Sequence, residues 1–187
     1  MVQTTYGAFD SAGRRKYLTN KEGKRFLKAA ASLPARERLL CEALYYLGCR
    51  VSEAIRLTPG DVDLEESVIA IQCLKKRDKN VVRRILVPTR FARELLELGD
   101  GGNERLWPVS RMTAWRIIKR VMAAAKITGT HAMPKGLRHG FGVRATLAKL
   151  PLHLIQRYMG HSYSTTTAIY LDVMDAEERA LVGRTWV

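Results

Sequence analysis

An α+β domain, mostly helical with one small antiparallel β-hairpin, is the architecture this 187-residue sequence predicts. Three observations carry that prediction. Apolar residues recur at helical spacing, as in Leu39, Leu40, Ala43, Leu44 and Leu47. Two β-branched runs, 68–74 and 81–87, flank a charged stretch suited to a hairpin tip. Turn residues fall between such segments with no low-complexity linker, and 47% of residues are hydrophobic, so one globular unit with its own core is expected.

Residues 1–18 are polar and read as an N-terminal extension, with the domain proper over 19–187. Thr19 or Asn20 caps a helix to about Ser32, which sets Phe26, Leu27 and Ala30 opposite a basic face. Pro34 opens a second helix, Ala35 to Gly48. Ser52 and Glu53 favour the start of another and Pro59-Gly60 stops it, which leaves Arg50 at a helix junction. In the hairpin, Ile69, Ile71 and Cys73 face the core; by alternation Lys75 shares their side and Lys76 points away. Pro88 ends the second strand, and a helix from about Thr89 to Leu98 leads into a Gly-rich turn. Ser110 caps a long helix, Met112 to about Lys126, with Trp115, Ile118, Val121 and Met122 inward. A loop holding His131 and Pro134 precedes a helix that begins around Lys135-Gly136-Leu137-Arg138-His139-Gly140-Phe141-Gly142, its glycines near neighbouring backbone. Pro151 opens a short helix to about Met159, which Gly160-His161 breaks. Tyr170 then stands where a new helical turn should begin, and Asp175 caps a last helix toward Val182.

Charge narrows the function. The net charge is +14 and the pI about 10.1, carried inside foldable sequence. From Arg105 to Leu171 there is no Asp or Glu, while Arg111, Arg116, Lys119, Arg120, Lys135, Arg138, Arg144 and Arg157 all lie in that span. A one-signed segment of this length suits a polyanion, and nucleic acid is the first partner to expect. The N-terminus has no apolar signal segment and no run approaches the ~18 apolar residues of a membrane span, so a cytoplasmic location without a membrane partner is expected. Cys41, Cys49 and Cys73 are odd in number and form no CxxC pair, which argues against a disulfide framework or a zinc site. His131, His139, His153 and His161 are scattered without neighbouring carboxylates, so no metal or other cofactor is expected. A free phenol, with a pKa near ~10, is a poor nucleophile; positive charge gathered around Tyr170 would make it a better one.

Four motifs, in order, resemble the catalytic domain of the tyrosine recombinase (phage integrase) family. They are Gly48-Cys49-Arg50-Val51-Ser52-Glu53 followed by Leu57 and Asp61, the hairpin closing at Val87-Pro88, Leu137-Arg138-His139-Gly140-Phe141, and Gly160-His161 with Tyr170 nine residues beyond the His. The resemblance spans about Thr19 to Asp175, and Pro134 to Val143 is similar to the short integrases of plasmids and other mobile elements. It implies that Tyr170 attacks a scissile phosphodiester of double-stranded DNA, expelling the 5'-hydroxyl and leaving a 3'-phosphotyrosyl bond, without ATP or metal. Arg50 and Arg138 would clamp the non-bridging oxygens, His161 would bond the same phosphate, and a hairpin lysine, Lys75 or else Lys76, would protonate the leaving oxygen.

The sequence departs from that family in three places. Its hairpin tip is longer than in compact members. Lys135 stands where the family usually has His, and is kept as a site residue because an ammonium can donate to a phosphate. The family usually has a helical arm that closes on DNA from the opposite side, and here only about twenty residues stand in its place, so the expectation is a fragment, a chain that acts with a partner supplying the arm, or one that binds DNA weakly; the family habit implies a homo-oligomer on DNA, a tetramer. The same chemistry within one duplex would make a type IB topoisomerase-like relaxing enzyme; the same fold without turnover would make a DNA-binding regulator.

Overall fold

The computed structural model describes residues 7–73, 81–99, 104–161 and 164–170. Lys75, Lys76 and Asp175 lie outside them, as does the turn after Gly99.

Helix α1, Asn20–Ala30, begins with a reciprocal cap. Thr19 Oγ1 accepts from Glu22 N (3.3 Å) and Glu22 Oε2 accepts from Thr19 N (3.0 Å). Helix α2, Ala35–Leu47, runs through the middle of the domain and ends at Gly48, whose φ of 55° is a left-handed cap. A bulkier residue there would also meet the Phe141 ring. Helix α3 is short, Val51–Ala54, and a 3-10 turn at Pro59–Asp61 follows. The sequence predicts that Pro59-Gly60 ends this helix; it instead closes at Ile55, and Pro59 opens the 3-10 turn.

The sheet has three antiparallel strands in the order β1-β2-β3: β1 Val62–Asp63, β2 Val68–Gln72 and β3 Val82–Leu86. The predicted hairpin is β2-β3, in a register that pairs Ile69 with Ile85. Strand β1 is absent from the sequence prediction because two residues are too few to display an alternation. Ile69, Ile71 and Cys73 face inward as expected. On β3 the inward positions are Arg83 and Ile85, so an arginine occupies a core position of the strand.

Helices α4 (Thr89–Leu98), α5 (Arg111–Ala124), α6 (Pro134–Leu147), α7 (Leu152–Met159) and α8 (Thr165–Ala168) complete the described chain. Ser110 caps α5 by accepting from Thr113 N (3.0 Å). The buried stripe of α5 is Ala114, Ile117, Ile118, Val121 and Met122. Trp115, predicted inward, is 41% exposed: one residue beyond Ala114 it is turned about 100° off that stripe. The core tryptophan is Trp107, whose Nε1 donates to the Arg36 carbonyl (2.7 Å). Tyr170 follows α8 and its C-cap Ile169, with its N–H donating to the Thr167 carbonyl (3.1 Å), so the tyrosine closes a helical turn where the sequence predicted that it opens one.

Apolar burial divides into two clusters. The larger gathers Leu18, Phe26, Leu39, Leu40, Leu44, Leu47, Ile69, Ile71, Ile85, Phe91, Trp107, Ile118 and Leu137 around α2. The smaller joins Ala8 and Tyr17 of the N-terminal segment to Val143, Ala145, Ile155, Met159 and Tyr170. The segment before α1 is therefore packed onto the domain: Leu18 N donates to the Gly136 carbonyl (3.2 Å), and a Cβ at Gly140 would come within 2.9 Å of the Leu18 carbonyl.

Candidate active site

Three chain junctions and one helix converge on a single basic cluster. The α2–α3 junction carries Arg50, α6 carries Arg138 and His139, the end of α7 carries Gly160 and His161, and Tyr170 follows α8.

Arg138 draws these elements together. Its Nη1 donates to the Gly48 carbonyl (2.7 Å), two residues before Arg50, and its Nη2 to the Met159 carbonyl (2.5 Å), two residues before His161. A planar fork that satisfies two helix-end carbonyls from two other elements is held rigidly, and lysine could not span both. Burial, then the neighbouring positive charge of Arg50, lowers the Arg138 pKa to about 10, so it remains a cation at neutral pH.

Arg50 is fixed from its other side. Glu53 accepts from the Arg50 backbone N–H (2.8 Å) through Oε2 and from Arg50 Nη1 (2.8 Å) through Oε1. The Glu53 side chain is fully buried while that of Arg50 is 28% exposed, so the guanidinium reaches solvent from a buried anionic post. The same carboxylate receives Arg83 from below, Nη2 to Oε2 at 2.9 Å. Burial works to raise the Glu53 pKa, but the hydrogen bond and charge of Arg83, then Arg50, outweigh it and hold the group below the usual carboxylate range.

His161 follows Gly160, the left-handed cap of α7 at φ 64°. Its Nδ1 shares a hydrogen bond with Thr167 Oγ1 (2.9 Å), and its ring stacks on Tyr170 with centroids 6.4 Å apart. Burial, then the charges of Arg138 and Arg50, push its pKa down to about 3, so the imidazole is neutral at physiological pH.

Tyr170 is 1% exposed and lies along α6, above Gly142, where a Cβ would come within 2.5 Å of Tyr170 Cζ. Its hydroxyl meets His139 Nδ1 at 2.9 Å. Burial, opposed weakly by Arg138, pushes the phenol pKa up to about 12. The expectation that the basic surroundings prime this tyrosine is therefore corrected for the resting structure: desolvation of the phenolate exceeds what the cations return. His139 is neutral as well, lowered to about 4 by burial, then by Lys135, Arg138 and Lys16.

Lys135 is exposed on the first turn of α6, and its charge reaches the site through its effect on His139. Glu53 and His139 fall within the motifs that the sequence displays; the structure makes Glu53 the post under Arg50, and His139, expected from the sequence as a supporting residue, the partner of the tyrosine hydroxyl. Arg83 is the site contributor that a reading by motif misses. For Arg83 the signal was its place in a strand alternation whose companions Ile85 and Val87 are core residues.

Comparison with known proteins gives the family and agrees with the fold. The family model described as "Phage integrase family" matches residues 16–177. The tyrosine recombinase XerA of Thermococcus kodakarensis is 30% identical over 167 residues, covering 84% of this chain and 58% of that protein. The tyrosine recombinase XerD of Corynebacterium glutamicum is 32% identical over 157 residues, covering 77% of this chain and 50% of that protein. The chain thus spans about half the length of the curated relatives it matches. Among solved structures, the crystal structure of XerA recombinase superposes with a TM-score of 0.77 at 28% identity, over 90% of this chain and 64% of that one. XerH recombinase bound to its difH substrate in a pre-cleavage complex has the same fold, with a TM-score of 0.72 at 22% identity over 88% of this chain and 52% of that one.

Proposed function

Because the chain belongs to the phage integrase family, we propose that residues 19–187 form the catalytic domain of a site-specific DNA recombinase that cuts and rejoins DNA through Tyr170. The observation that supports this reading is the clasp of Arg138 on the carbonyls of Gly48 and Met159, which with the contacts of Tyr170 to His139 and His161 gathers Arg50, Arg138, His161 and Tyr170 around what we read as one basic depression.

The chemistry runs as follows. A scissile phosphate enters the depression, where Arg50 and Arg138 hold its non-bridging oxygens and offset the charge that grows on them in the transition state. His161, with Nδ1 accepting from the Thr167 hydroxyl, carries its proton on Nε2 and donates it to a phosphate oxygen. The Tyr170 oxygen attacks phosphorus as its own proton passes to solvent water, the bond to the 5'-oxygen breaks, and a lysine of the β2-β3 hairpin protonates that oxygen. The inward side of Cys73 favours Lys75 over Lys76 for this step. Attack by a 5'-hydroxyl from a second strand reverses the sequence and reseals DNA, with the bond energy retained in the phosphotyrosyl link. Lys135 stands at the rim, where its ammonium can meet a DNA phosphate.

Tyr170 reacts only after its ring leaves the bed above Gly142, since it is 1% exposed with a protonated hydroxyl held at His139. DNA, a tetrameric assembly on it and a helical arm from a partner supply the binding energy for that movement, in a cytoplasmic, nucleoid-associated setting. No helix among the described residues is long and apolar enough to cross a membrane.

The test is incubation with nicked suicide duplexes from the replicon carrying the gene, in EDTA, followed by a denaturing gel. A protein–DNA adduct that disappears with Tyr170→Phe supports the reading, and strands joined between duplexes distinguish recombination from relaxation of one duplex. Tight binding to cognate DNA without any adduct, even with a helical-arm partner added, overturns it in favour of a DNA-binding regulator.

A further inference from the structure

Arg83 is a charged residue in a core position, and stability alone does not account for it. It is 2% exposed on β3, between strand neighbours whose inward companions are aliphatic. Burying an ion pair in place of a well-packed apolar side chain is neutral or costly to a fold, so a leucine or methionine would serve packing as well. Its Nε, moreover, is buried without a hydrogen-bond partner, a further desolvation cost.

What Arg83 touches explains its presence. Nη2 donates to Glu53 Oε2 (2.9 Å) and Nη1 lies 3.4 Å from Glu53 Oε1, the oxygen that also accepts from Arg50 Nη1. Nη1 is 3.3 Å from Cys73 Sγ, at the point where β2 leaves the sheet toward the hairpin tip. The guanidinium also packs directly beneath Gly160, where a Cβ would collide with Nη1. One side chain thus contacts the post under Arg50, the root of the hairpin and the turn that presents His161.

We propose that Arg83 is a positioning residue of the strand-cleaving site: through Glu53 it sets the direction of the Arg50 guanidinium, and through Gly160 it ties that direction to the His161 turn. The proposal rests on the phosphodiester-cleaving reading above. Without Arg83, both oxygens of Glu53 are available to Arg50 alone; the guanidinium is drawn down onto the carboxylate and its charge is spent there. With Arg83 in place, two cations share one anion, and the surplus positive charge faces the depression. The unpaired glycine position is required for the same reason, since any larger residue at 160 would displace the Arg83 fork.

The test compares two substrates in single-turnover adduct formation: an ordinary suicide duplex and one with a methylphosphonate at the scissile position, which lacks one non-bridging charge. Arg83→Met is expected to slow cleavage of the phosphodiester on the order of 100-fold while slowing the methylphosphonate less than about 5-fold, because only the former needs the full clamp. Arg83→Lys, which keeps the charge but cannot bridge Glu53 and Gly160, is expected to show a smaller loss with the same selectivity, and it keeps the question answerable should Arg83→Met fold poorly. An equal loss on both substrates in either folded variant assigns Arg83 a structural role and overturns the proposal, as does undiminished cleavage by Arg83→Met. If the unmodified protein forms no Tyr170 adduct with either duplex, it is the recombinase reading that fails.

Discussion

The two halves of this site are held in opposite ways. The anion clamp is fastened by charge and backbone: Arg138 to two carbonyls, Arg50 to Glu53, Arg83 to the same carboxylate. Its roots, Cys49, Ala54 and Leu137, belong to the large core around α2. The proposed nucleophile is fastened by packing: the Tyr170 ring sits in the small cluster that the N-terminal segment closes, with one neutral hydrogen bond at its end. Directional, charge-assisted bonds fix a geometry, whereas a small apolar bed can release what it holds at modest cost. On the proposed function, the clamp is therefore preorganised for a phosphate, and the tyrosine is stored.

The largest expected effect separates the two halves outright. Tyr170→Phe keeps the ring in its bed and loses one hydroxyl, so adduct formation should fall by at least ~10⁴-fold while stability changes by only about 1 kcal/mol. Gel adducts and denaturant melts check both numbers; a large stability loss would mean that the bed is not held by packing. Next, Arg138→Ala should strike the clamp alone, slowing cleavage ~10²–10³-fold. It also strands the carbonyls of Gly48 and Met159, at roughly 1–3 kcal/mol each. Arg138→Lys should recover little of either loss.

Gly142→Ala sharpens the comparison from the other side. Its methyl collides with the Tyr170 ring, a strain of about 1–3 kcal/mol that helix propensity, worth about 1 kcal/mol, only partly offsets. A lower melting temperature and a more reactive tyrosine toward iodination are expected, with DNA affinity unchanged. Weakened DNA binding would show that bed and clamp are mechanically one unit.

The smallest effect concerns pH. His139 and His161 have folded pKa values of about 4 and about 3, below the ~6.5 of an unfolded histidine. As pH falls through ~6.5 the unfolded chain takes up protons that the fold refuses, so stability is intact above that value and declines down to about pH 3. Tyr170 gives the opposite flank: its pKa of about 12 exceeds the ~10 of a free phenol, so its share of stability is present below pH ~10 and is lost as pH rises toward 12. Denaturant titrations from pH 7.5 to 4 should show the acid decline, and His139→Gln should flatten part of it.

Element boundaries were legible wherever local chemistry sets them. Thr19 and Ser110 cap helices by their own side chains, Gly48 and Gly160 terminate them by adopting positive φ, and the alternation of β2 places Ile69, Ile71 and Cys73 inward. Arg50 and His161 follow the helix-ending Gly48 and Gly160, whereas Arg138 lies within α6 and Tyr170 beyond α8, so their selection rested on the resemblance to the family's motifs. Trp115 was misplaced because the phase of α5 puts Ala114, one residue earlier, on the buried stripe.

What the sequence by itself determined is the inventory: the helices, the hairpin, the basic surplus and the identity of the chemical groups. Which groups share a proton, a carboxylate or a solvent boundary depends on distances between residues 30 or more apart in the chain, as for Arg83 with Glu53 and His139 with Tyr170. Only the tertiary structure decided that the tyrosine rests buried as a neutral phenol and that an arginine fills a core position of β3, because desolvation is a property of the packed environment and not of the residue.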